Sequence, residues 1–256
     1  MTDTSPWLLC REPRPQAPLR LYCLPHSGGS AGEYLFWGDR LPEYEVWGLQ
    51  SPGRGSRTGE TPYTSMPELV RALADEVDFA GPYALFGHSL GAAVAYELTL
   101  ELRARGRELP RHLYLSAHEA PHLHQLDPAL LGLDDRELLA EIEQRYDPVP
   151  PEVLEDPEWC ALLLEGLRAD LSIVATYRPT AADPLPTPIT ALGGDTDPVA
   201  DRTALAAWAA YTTDDFRLRM YPGHHFYFRD HEDDVLHDLD LDLAHDLADA
   251  AARPPR

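Results

Sequence analysis

Short apolar runs alternate with longer amphipathic stretches along most of this chain. The short runs are bounded by turn-forming residues and predict β-strands at Leu19–Leu24, Glu45–Gln50, Tyr83–Phe86, His112–Ala117, Pro188–Gly193 and Phe216–Tyr221. Apolar residues at helical spacing predict helices over Pro67–Phe79, Ala92–Arg105, Thr203–Ala210 and Glu232–Ala251. Because strands and helices alternate, the pattern predicts parallel βαβ units and a mostly parallel central sheet with helices on both faces.

The alternation is interrupted over residues 118–186, where no strong strand is predicted. Two amphipathic helices with acidic starts are expected instead, at Asp134–Arg145 and Asp156–Ala169, separated by the Pro-rich stretch Asp147–Pro151. A helical block inserted between two sheet strands would form a lid over the sheet's carboxyl edge. The alternative is a surface subdomain without a gating role. We expect a single α/β domain over residues 1–256, with a lid insertion at about 118–186.

Composition narrows the possible partners. The chain has 43 acidic and 21 basic side chains, a net charge of −22, which argues against binding to nucleic acid or to an anionic membrane surface. No apolar run is long enough to span a bilayer, and Met1–Pro15 lacks the pattern of a signal peptide. The cysteines, Cys10, Cys23 and Cys160, show neither metal-binding nor CxxC spacing. We therefore expect a cytoplasmic protein with free thiols, and a monomer, since no exposed apolar stripe stands out.

The most informative motif is Gly87-His88-Ser89-Leu90-Gly91, between the strand Tyr83–Phe86 and the helix Ala92–Arg105. This is the G-x-S-x-G pattern in the strand–turn–helix context that a nucleophile elbow requires. The turn is so tight that small residues are needed two positions before and after the serine. Ser89 is thereby predicted as a nucleophile at a helix N-terminus, where backbone amides face developing negative charge.

A serine nucleophile needs a base, and the base needs an orienting acid, which in this arrangement follow in the order Ser, Asp or Glu, His. Two aspartates, Asp195 and Asp197, follow the strand Pro188–Gly193. The spacing Gly194-x-x-Asp197-Pro198-Val199 favours Asp197 as the acid, and the other aspartate would brace the turn. Two histidines, His224 and His225, follow the strand Phe216–Tyr221, and chain order allows either as the base.

An oxyanion hole needs two backbone N–H donors. One is expected at Leu90, the residue after the nucleophile. The other is expected in the Gly-rich loop His26–Gly29, at Ser27 or alternatively at Gly28, because glycines let the backbone approach a substrate closely. Alternatively, this loop is a plain turn, or a phosphate cradle, although it lacks the Lys and the spacing of a P-loop. The chemistry requires no metal and no dissociable cofactor.

Together these residues resemble one family, the stand-alone, editing type II thioesterases of polyketide and nonribosomal peptide pathways. The matching stretches are Leu24–Ala31, Gly87–Ala92, Leu163–Asp170, Pro188–Pro198, Trp208, Thr212–Thr213 and Tyr221–Phe226. The resemblance implies an α/β-hydrolase fold, with Ser89 as nucleophile, Asp197 as acid, His225 as base, and Ser27 and Leu90 as oxyanion donors. His224 replaces a glycine that is usual in the family, and His118-Glu119 replaces two basic residues.

The resemblance also implies the substrate, an acyl group on the phosphopantetheine arm of an acyl or peptidyl carrier protein. Carrier proteins are generally acidic, so a net charge of −22 gives no long-range attraction, and docking is expected through apolar contacts at the lid edge. One alternative is a general esterase that acts on small soluble esters or acyl-CoA, since a fold alone does not fix the substrate. Another is a non-catalytic protein that occludes carriers or synthases.

Overall fold

The computed structural model describes residues 5–79, 81–125, 128–146 and 154–252. Its centre is a seven-stranded sheet in the order β1-β3-β2-β4-β5-β6-β7. The strands are β1 (Leu8–Leu9), β2 (Arg20–Leu24), β3 (Glu45–Leu49), β4 (Tyr83–His88), β5 (Leu113–Ser116), β6 (Ile189–Gly194) and β7 (Phe216–Tyr221). All neighbours are parallel except β1, which runs antiparallel to β3. The predicted α/β fold with a mostly parallel sheet is therefore confirmed.

Helices cover both faces of the sheet. They are α1 (Trp37–Arg40), α2 (Met66–Glu76), α3 (Leu90–Ala104), α4 (Asp135–Arg145), α5 (Pro157–Thr176), α6 (Arg202–Ala206), α7 (Tyr227–Asp230) and α8 (Glu232–Ala252). One buried cluster joins α2 and α3 to the sheet through residues such as Leu73 and Leu98. A second cluster on the opposite face holds Trp37, Val235 and Leu239. The sheet is thus buried on both sides, which explains why its central strands are mostly apolar.

Strand pairing determines where the site forms. Every residue of β4 is buried, and β4 pairs with β2 on one side and β5 on the other. Because parallel strands end at a common edge, the segments after β2, β4, β6 and β7 meet there. These four segments carry every site residue that the sequence predicts.

The helical block between β5 and β6 contains α4 and α5. Asp134 caps α4 in a capping box with Glu137, and the side chain of Asp156 accepts hydrogen bonds at the start of α5. Helix α5 continues to Thr176 instead of ending at Ala169 as predicted, because its apolar face continues with buried Leu171 and Ile173. The predicted Pro-rich stretch Asp147–Pro151 lies outside the described residues.

Two smaller features differ from the sequence prediction. The predicted helix Thr203–Ala210 is divided into α6 and a 3₁₀ turn over Ala207–Tyr211. Strand β1 was not predicted, because two residues are too few to show a periodic pattern. Within the residues that the structure describes, no helix has the length and apolar character needed to cross a bilayer.

Candidate active site

Ser89 lies at the tight turn between β4 and α3, with φ 55° and ψ −121°. Positive φ is uncommon for a residue that carries a Cβ and marks a strained position that the surroundings must hold. A Cβ at Gly87 would collide with the carbonyl of Gly91, and a Cβ at Gly91 would collide with the carbonyl of Leu24. These close approaches explain why the turn has glycine on both sides of Ser89. The Ser89 amide is held by the Ser116 carbonyl at 2.8 Å.

Asp197 and His225 form a buried pair behind this turn. His225 Nδ1 lies 2.9 Å from Asp197 Oδ2, and both side chains are almost fully buried. The second carboxylate oxygen of Asp197 accepts the amide of Val199 at 2.8 Å. A carboxylate can only accept a hydrogen bond, so Nδ1 of His225 carries the proton of the neutral ring, and Nε2 of His225 keeps a lone pair. His225 Nε2 is buried and has no hydrogen-bond partner among the described residues.

The alternative acid and the alternative base, Asp195 and His224, make other contacts. Asp195 is exposed, and its Oδ1 accepts the amide of Gly223 at 3.0 Å, so its side chain braces the turn. His224 is exposed as well, with Nδ1 3.3 Å from Thr196 Oγ1. Neither residue lines the cavity that contains Ser89 and His225. The structure therefore brings together Ser89, Asp197 and His225 and leaves Asp195 and His224 outside.

The two expected oxyanion donors flank Ser89. Ser27 and Leu90 line the same cavity, and neither amide donates a hydrogen bond to another described residue. The amide of Gly28 donates instead to Asp170 Oδ2 at 2.7 Å. Gly28, the alternative donor, is thus already engaged, whereas the Ser27 and Leu90 amides remain open to a substrate oxygen.

His88, the second residue of the elbow motif, supports the site from behind. Its Nδ1 lies 2.8 Å from Ser116 Oγ, which in turn lies 2.8 Å from the Tyr227 hydroxyl. Burial holds the pKa of His88 well below its usual range, so this ring is neutral. Its ring centroid is 5.1 Å from that of His225. A neutral neighbour at this distance adds no charge that would oppose protonation of His225.

A cavity of about 280 Å³ opens over Ser89 and His225. Its apolar wall comes from the helical block between β5 and β6. The apolar lining residues of this block include Leu130, Ile142, Leu163, Leu167, Leu171 and Val174. Tyr146, just after α4, places its ring centroid 4.8 Å from that of His225. The arrangement suits a substrate with an apolar chain and one reactive carbonyl.

One polar wall of the cavity was not predicted as a functional cluster. His124 Nδ1 lies 3.0 Å from Glu119 Oε1, and His124 Nε2 lies 3.1 Å from the Val174 carbonyl. Burial raises the pKa of Glu119, but His124 and His118 outweigh it and lower that pKa to about 2. Among the described residues, His118, Glu119 and His124 are the group whose atoms lie close enough to hold a metal ion, within 4.8 Å of one another. The Glu119–His124 contact already satisfies two of these groups without a metal.

Asp170 and Arg54 were also missed as functional residues. Both lie near the Gly-rich loop, and Arg54 pairs with the buried Asp170 carboxylate at 2.6 and 2.8 Å. The sequence did contain a signal for Asp170, which lies on the same helical face as Leu163, Leu167 and Val174. A charged residue within an apolar stripe must find a partner when it is buried.

Comparison with known proteins identifies the family of this chain. The thioesterase domain profile matches residues 19–243. The gramicidin S biosynthesis protein GrsT of Aneurinibacillus migulanus is 34% identical over 89% of this chain and 90% of its own length. The thioesterase PikA5 of Streptomyces venezuelae is 37% identical over 93% of this chain and 85% of its own length.

Solved structures give the same result. The type II thioesterase BorB from the borrelidin biosynthetic cluster superposes with a TM-score of 0.81 at 33% identity, covering 94% of this chain and 97% of that one. The match to the thioesterase domain spans strands β2 to β7 and the helical block between β5 and β6. The chain therefore belongs to the thioesterase family, as a thioester hydrolase with the α/β-hydrolase fold, and groups with the type II thioesterases of polyketide and nonribosomal peptide pathways.

Proposed function

We propose that this thioesterase releases acyl groups from the phosphopantetheine arm of acyl or peptidyl carrier proteins and so clears stalled or mis-loaded synthases. The single observation that carries the mechanism is the buried Asp197–His225 pair, whose histidine lines the same cavity as the strained Ser89. Membership of the thioesterase family indicates that the substrate is a thioester. The relatives from biosynthetic pathways support a carrier protein as the source of this thioester.

The first half of the reaction forms an acyl-enzyme. His225 Nε2 accepts the proton of Ser89 Oγ as that oxygen attacks the thioester carbonyl carbon. The carbonyl oxygen becomes an oxyanion, held by the amides of Ser27 and Leu90. Asp197 stabilises the imidazolium through Nδ1. Collapse of the tetrahedral intermediate breaks the C–S bond, and His225 returns its proton to the departing thiol.

In the second half of the reaction, a water molecule is the nucleophile and Ser89 is the leaving group. A water molecule gives a proton to His225 Nε2 and attacks the acyl carbon. The same two amides hold the second oxyanion. Collapse breaks the bond to Ser89 Oγ, the proton returns to this oxygen, and the free acid leaves. The nucleophile, the base and both amide donors line the one cavity, and Asp197 contacts the base at Nδ1.

The helical block would act as the lid in this scheme. We treat residues 1–256 as one domain in which the insertion at about 118–186 encloses the acyl chain. Support comes from its lining residues, since Leu163, Leu167 and Leu171 line the same cavity as Ser89. A cavity of about 280 Å³ favours short acyl groups over long chains.

Carrier docking would take place on the outer side of this lid. Trp159 is 60% exposed, and Leu162 and Leu154 are 41% and 40% exposed. A net charge of −22 repels an acidic carrier at long range, so apolar contact must provide the affinity. We place the protein in the cytoplasm as a monomer, consistent with its free cysteines Cys10, Cys23 and Cys160.

The test compares wild type with Ser89→Ala on an acylated carrier protein and on a soluble ester of the same acyl group. The proposal expects rapid carrier release by wild type, loss of this release in the variant, and little ester hydrolysis. Fast ester hydrolysis without carrier release would instead make the protein a general esterase. Carrier release that survives in Ser89→Ala would remove Ser89 from the mechanism.

A further inference from the structure

Asp170 joins the lid helix α5 to the loop that carries Ser27. It is only 3% exposed, and its side chain makes three short contacts. Oδ2 accepts the amide of Gly28 at 2.7 Å and Arg54 Nη1 at 2.6 Å, and Oδ1 accepts Arg54 Nη2 at 2.8 Å. Three segments that are distant in sequence therefore meet at one carboxylate, namely the loop after β2, the loop after β3, and α5.

The loop itself is a type II turn. The amide of Gly29 donates to the carbonyl of His26 at 2.9 Å, and Gly28 has φ +76°. Ser27, the other central residue, is not among the described residues with positive φ, which distinguishes type II from the mirror-image turns. Type I and type II turns differ by a flip of the central peptide. That peptide joins Ser27 to Gly28, and its N–H is the group that Asp170 holds.

Helix α5 also packs directly on this turn. A Cβ added at Gly28 would lie 3.5 Å from Leu163 Cδ1 and 3.7 Å from Leu167 Cδ1. Both leucines lie on α5, as Asp170 does. The apolar contacts hold the turn against the helix, and the Asp170 hydrogen bond determines which way its central peptide faces.

Arg54 keeps the Asp170 carboxylate in place. Its side chain is 10% exposed, and two of its guanidinium nitrogens contact Asp170 in a fork. An unpaired buried carboxylate would be costly, whereas Arg54 pairs with both oxygens and leaves a lone pair of Oδ2 for the Gly28 amide. The geometry is that of a fixed acceptor aimed at one backbone donor.

We propose that Asp170 is a positioning residue for the oxyanion hole. It anchors the Ser27–Gly28 peptide to α5 and to Arg54, and thereby fixes the position of the loop and of the adjacent His26–Ser27 peptide, whose N–H is the Ser27 amide. This inference rests on the proposed function, because it assumes that the Ser27 amide binds the substrate oxyanion. The lid helix is then part of the catalytic arrangement as well as a wall of the acyl cavity.

The most direct variant is Asp170→Asn. Both carboxylate oxygens of Asp170 accept N–H groups, but an asparagine side chain has one oxygen and one NH₂ group. In either orientation the NH₂ group of the asparagine therefore faces an N–H donor, from Gly28 or from Arg54. We expect kcat for carrier release to fall roughly tenfold to a hundredfold, as for a displaced oxyanion donor, with KM nearly unchanged. Inhibition by an alkylboronic acid, which forms a tetrahedral anion on Ser89, should weaken in proportion to kcat.

Glu97→Gln provides the matched control. Glu97 is also a buried carboxylate, and it accepts hydrogen bonds from the Tyr177 hydroxyl, the Thr180 amide and the Thr180 hydroxyl. It lies outside the cavity. We expect this variant to lower the melting temperature while leaving kcat and boronate inhibition as in wild type.

Arg54→Lys keeps the proposal testable if Asp170→Asn does not fold. A lysine keeps the positive charge but loses the two-pronged contact, so a smaller fall in kcat at constant KM is expected. Wild-type kcat in a folded Asp170→Asn or Arg54→Lys protein would overturn the inference, and so would a change in KM alone. Failure of the proposed function is separate, since it would show as absent carrier release in wild type or continued release in Ser89→Ala.

Discussion

The carboxylate of Asp197 lies 2.9 Å from Nδ1 of His225, while that of Asp195, two residues earlier, holds the Gly223 amide at 3.0 Å. The two aspartates occupy one turn and differ in what they contact. This difference predicts that the same substitution lowers kcat far more at Asp197 than at Asp195.

Asp197→Asn should lower kcat for thioester hydrolysis by roughly 10³- to 10⁴-fold. The amide can present a donor to Nδ1, which favours the wrong tautomer of His225 and removes the charge that stabilises the imidazolium. Asp195→Asn is the matched control and should change kcat less than about threefold, because its side chain contacts only the turn. Steady-state kinetics on one acyl carrier substrate would check both. A larger loss in the Asp195 variant would reverse the assignment.

The glycines of the elbow should tolerate no side chain. Gly91→Ala places a Cβ against the Leu24 carbonyl, and backbone cannot move aside as a flexible side chain can. We expect a loss of about 2 to 5 kcal/mol in the free energy of unfolding, measured by urea denaturation. Gly59→Ala is the control, since nothing lies within 4 Å of its Cβ position. Equal stability of the two variants would contradict the close packing of β2 against the elbow.

The Glu119–His124 pair should stabilise the fold over a limited range of pH. The pKa of Glu119 is lowered from 4.5 to about 2, because the histidine contacts outweigh its burial. The pKa of His124 is raised above 6.5, because its contacts with Glu119 and Val174 outweigh the opposing effect of burial. The carboxylate contribution is present above pH 4.5 and is lost as pH falls towards 2. The histidine contribution is present below pH 6.5 and is lost as pH rises through the folded-state pKa.

His124→Gln should therefore destabilise the protein most between about pH 4.5 and 6.5, and less on either side. The free energy of unfolding, measured for both proteins across this range, checks the prediction. His237→Gln is the control, because this exposed side chain on α8 has no hydrogen bond or ion pair with another described residue, so its replacement should change the stability little. A difference for His124→Gln that grows steadily towards high pH would contradict the paired arrangement.

Trp159 should contribute to the affinity for the carrier without affecting the chemistry. It is 60% exposed on α5, in the part of the lid where apolar docking is proposed. Trp159→Ala should raise KM for an acyl carrier roughly tenfold, in the range of an interface anchor, and leave KM for a short soluble thioester unchanged. Raising the salt from low to physiological strength should not weaken carrier turnover by wild type, because the two proteins carry charge of the same sign. Marked weakening by salt would show that attractive charges drive docking instead.

Much of this site could be predicted from local sequence. The elbow is a short-range pattern, since two glycines and a serine between an apolar run and a helix require one backbone geometry. Chain order then restricted the acid and the base to neighbouring pairs of residues. The structure separates the members of each pair by burial, with Asp197 and His225 inside and Asp195 and His224 outside.

The remaining features depend on contacts that no local pattern contains. Arg54 and Asp170 are 116 residues apart, and only the packing of α5 over the loops brings them together. The cluster of Glu119 and His124 likewise appears only when the chain after β5 folds back on α5 near Val174. Helix α5 extends beyond its predicted end at Ala169, because Leu171 and Ile173 find buried partners that the local pattern does not show.

The most direct test of the central claim is to detect the acyl group on Ser89 itself. Wild-type protein would be mixed rapidly with an acylated carrier, quenched in acid, and examined by intact-protein and peptide mass spectrometry. The mechanism predicts a transient mass increase equal to the acyl group, mapped to Ser89 and absent from Ser89→Ala. Release of the free acid with no adduct, or with an adduct on another residue, would contradict it.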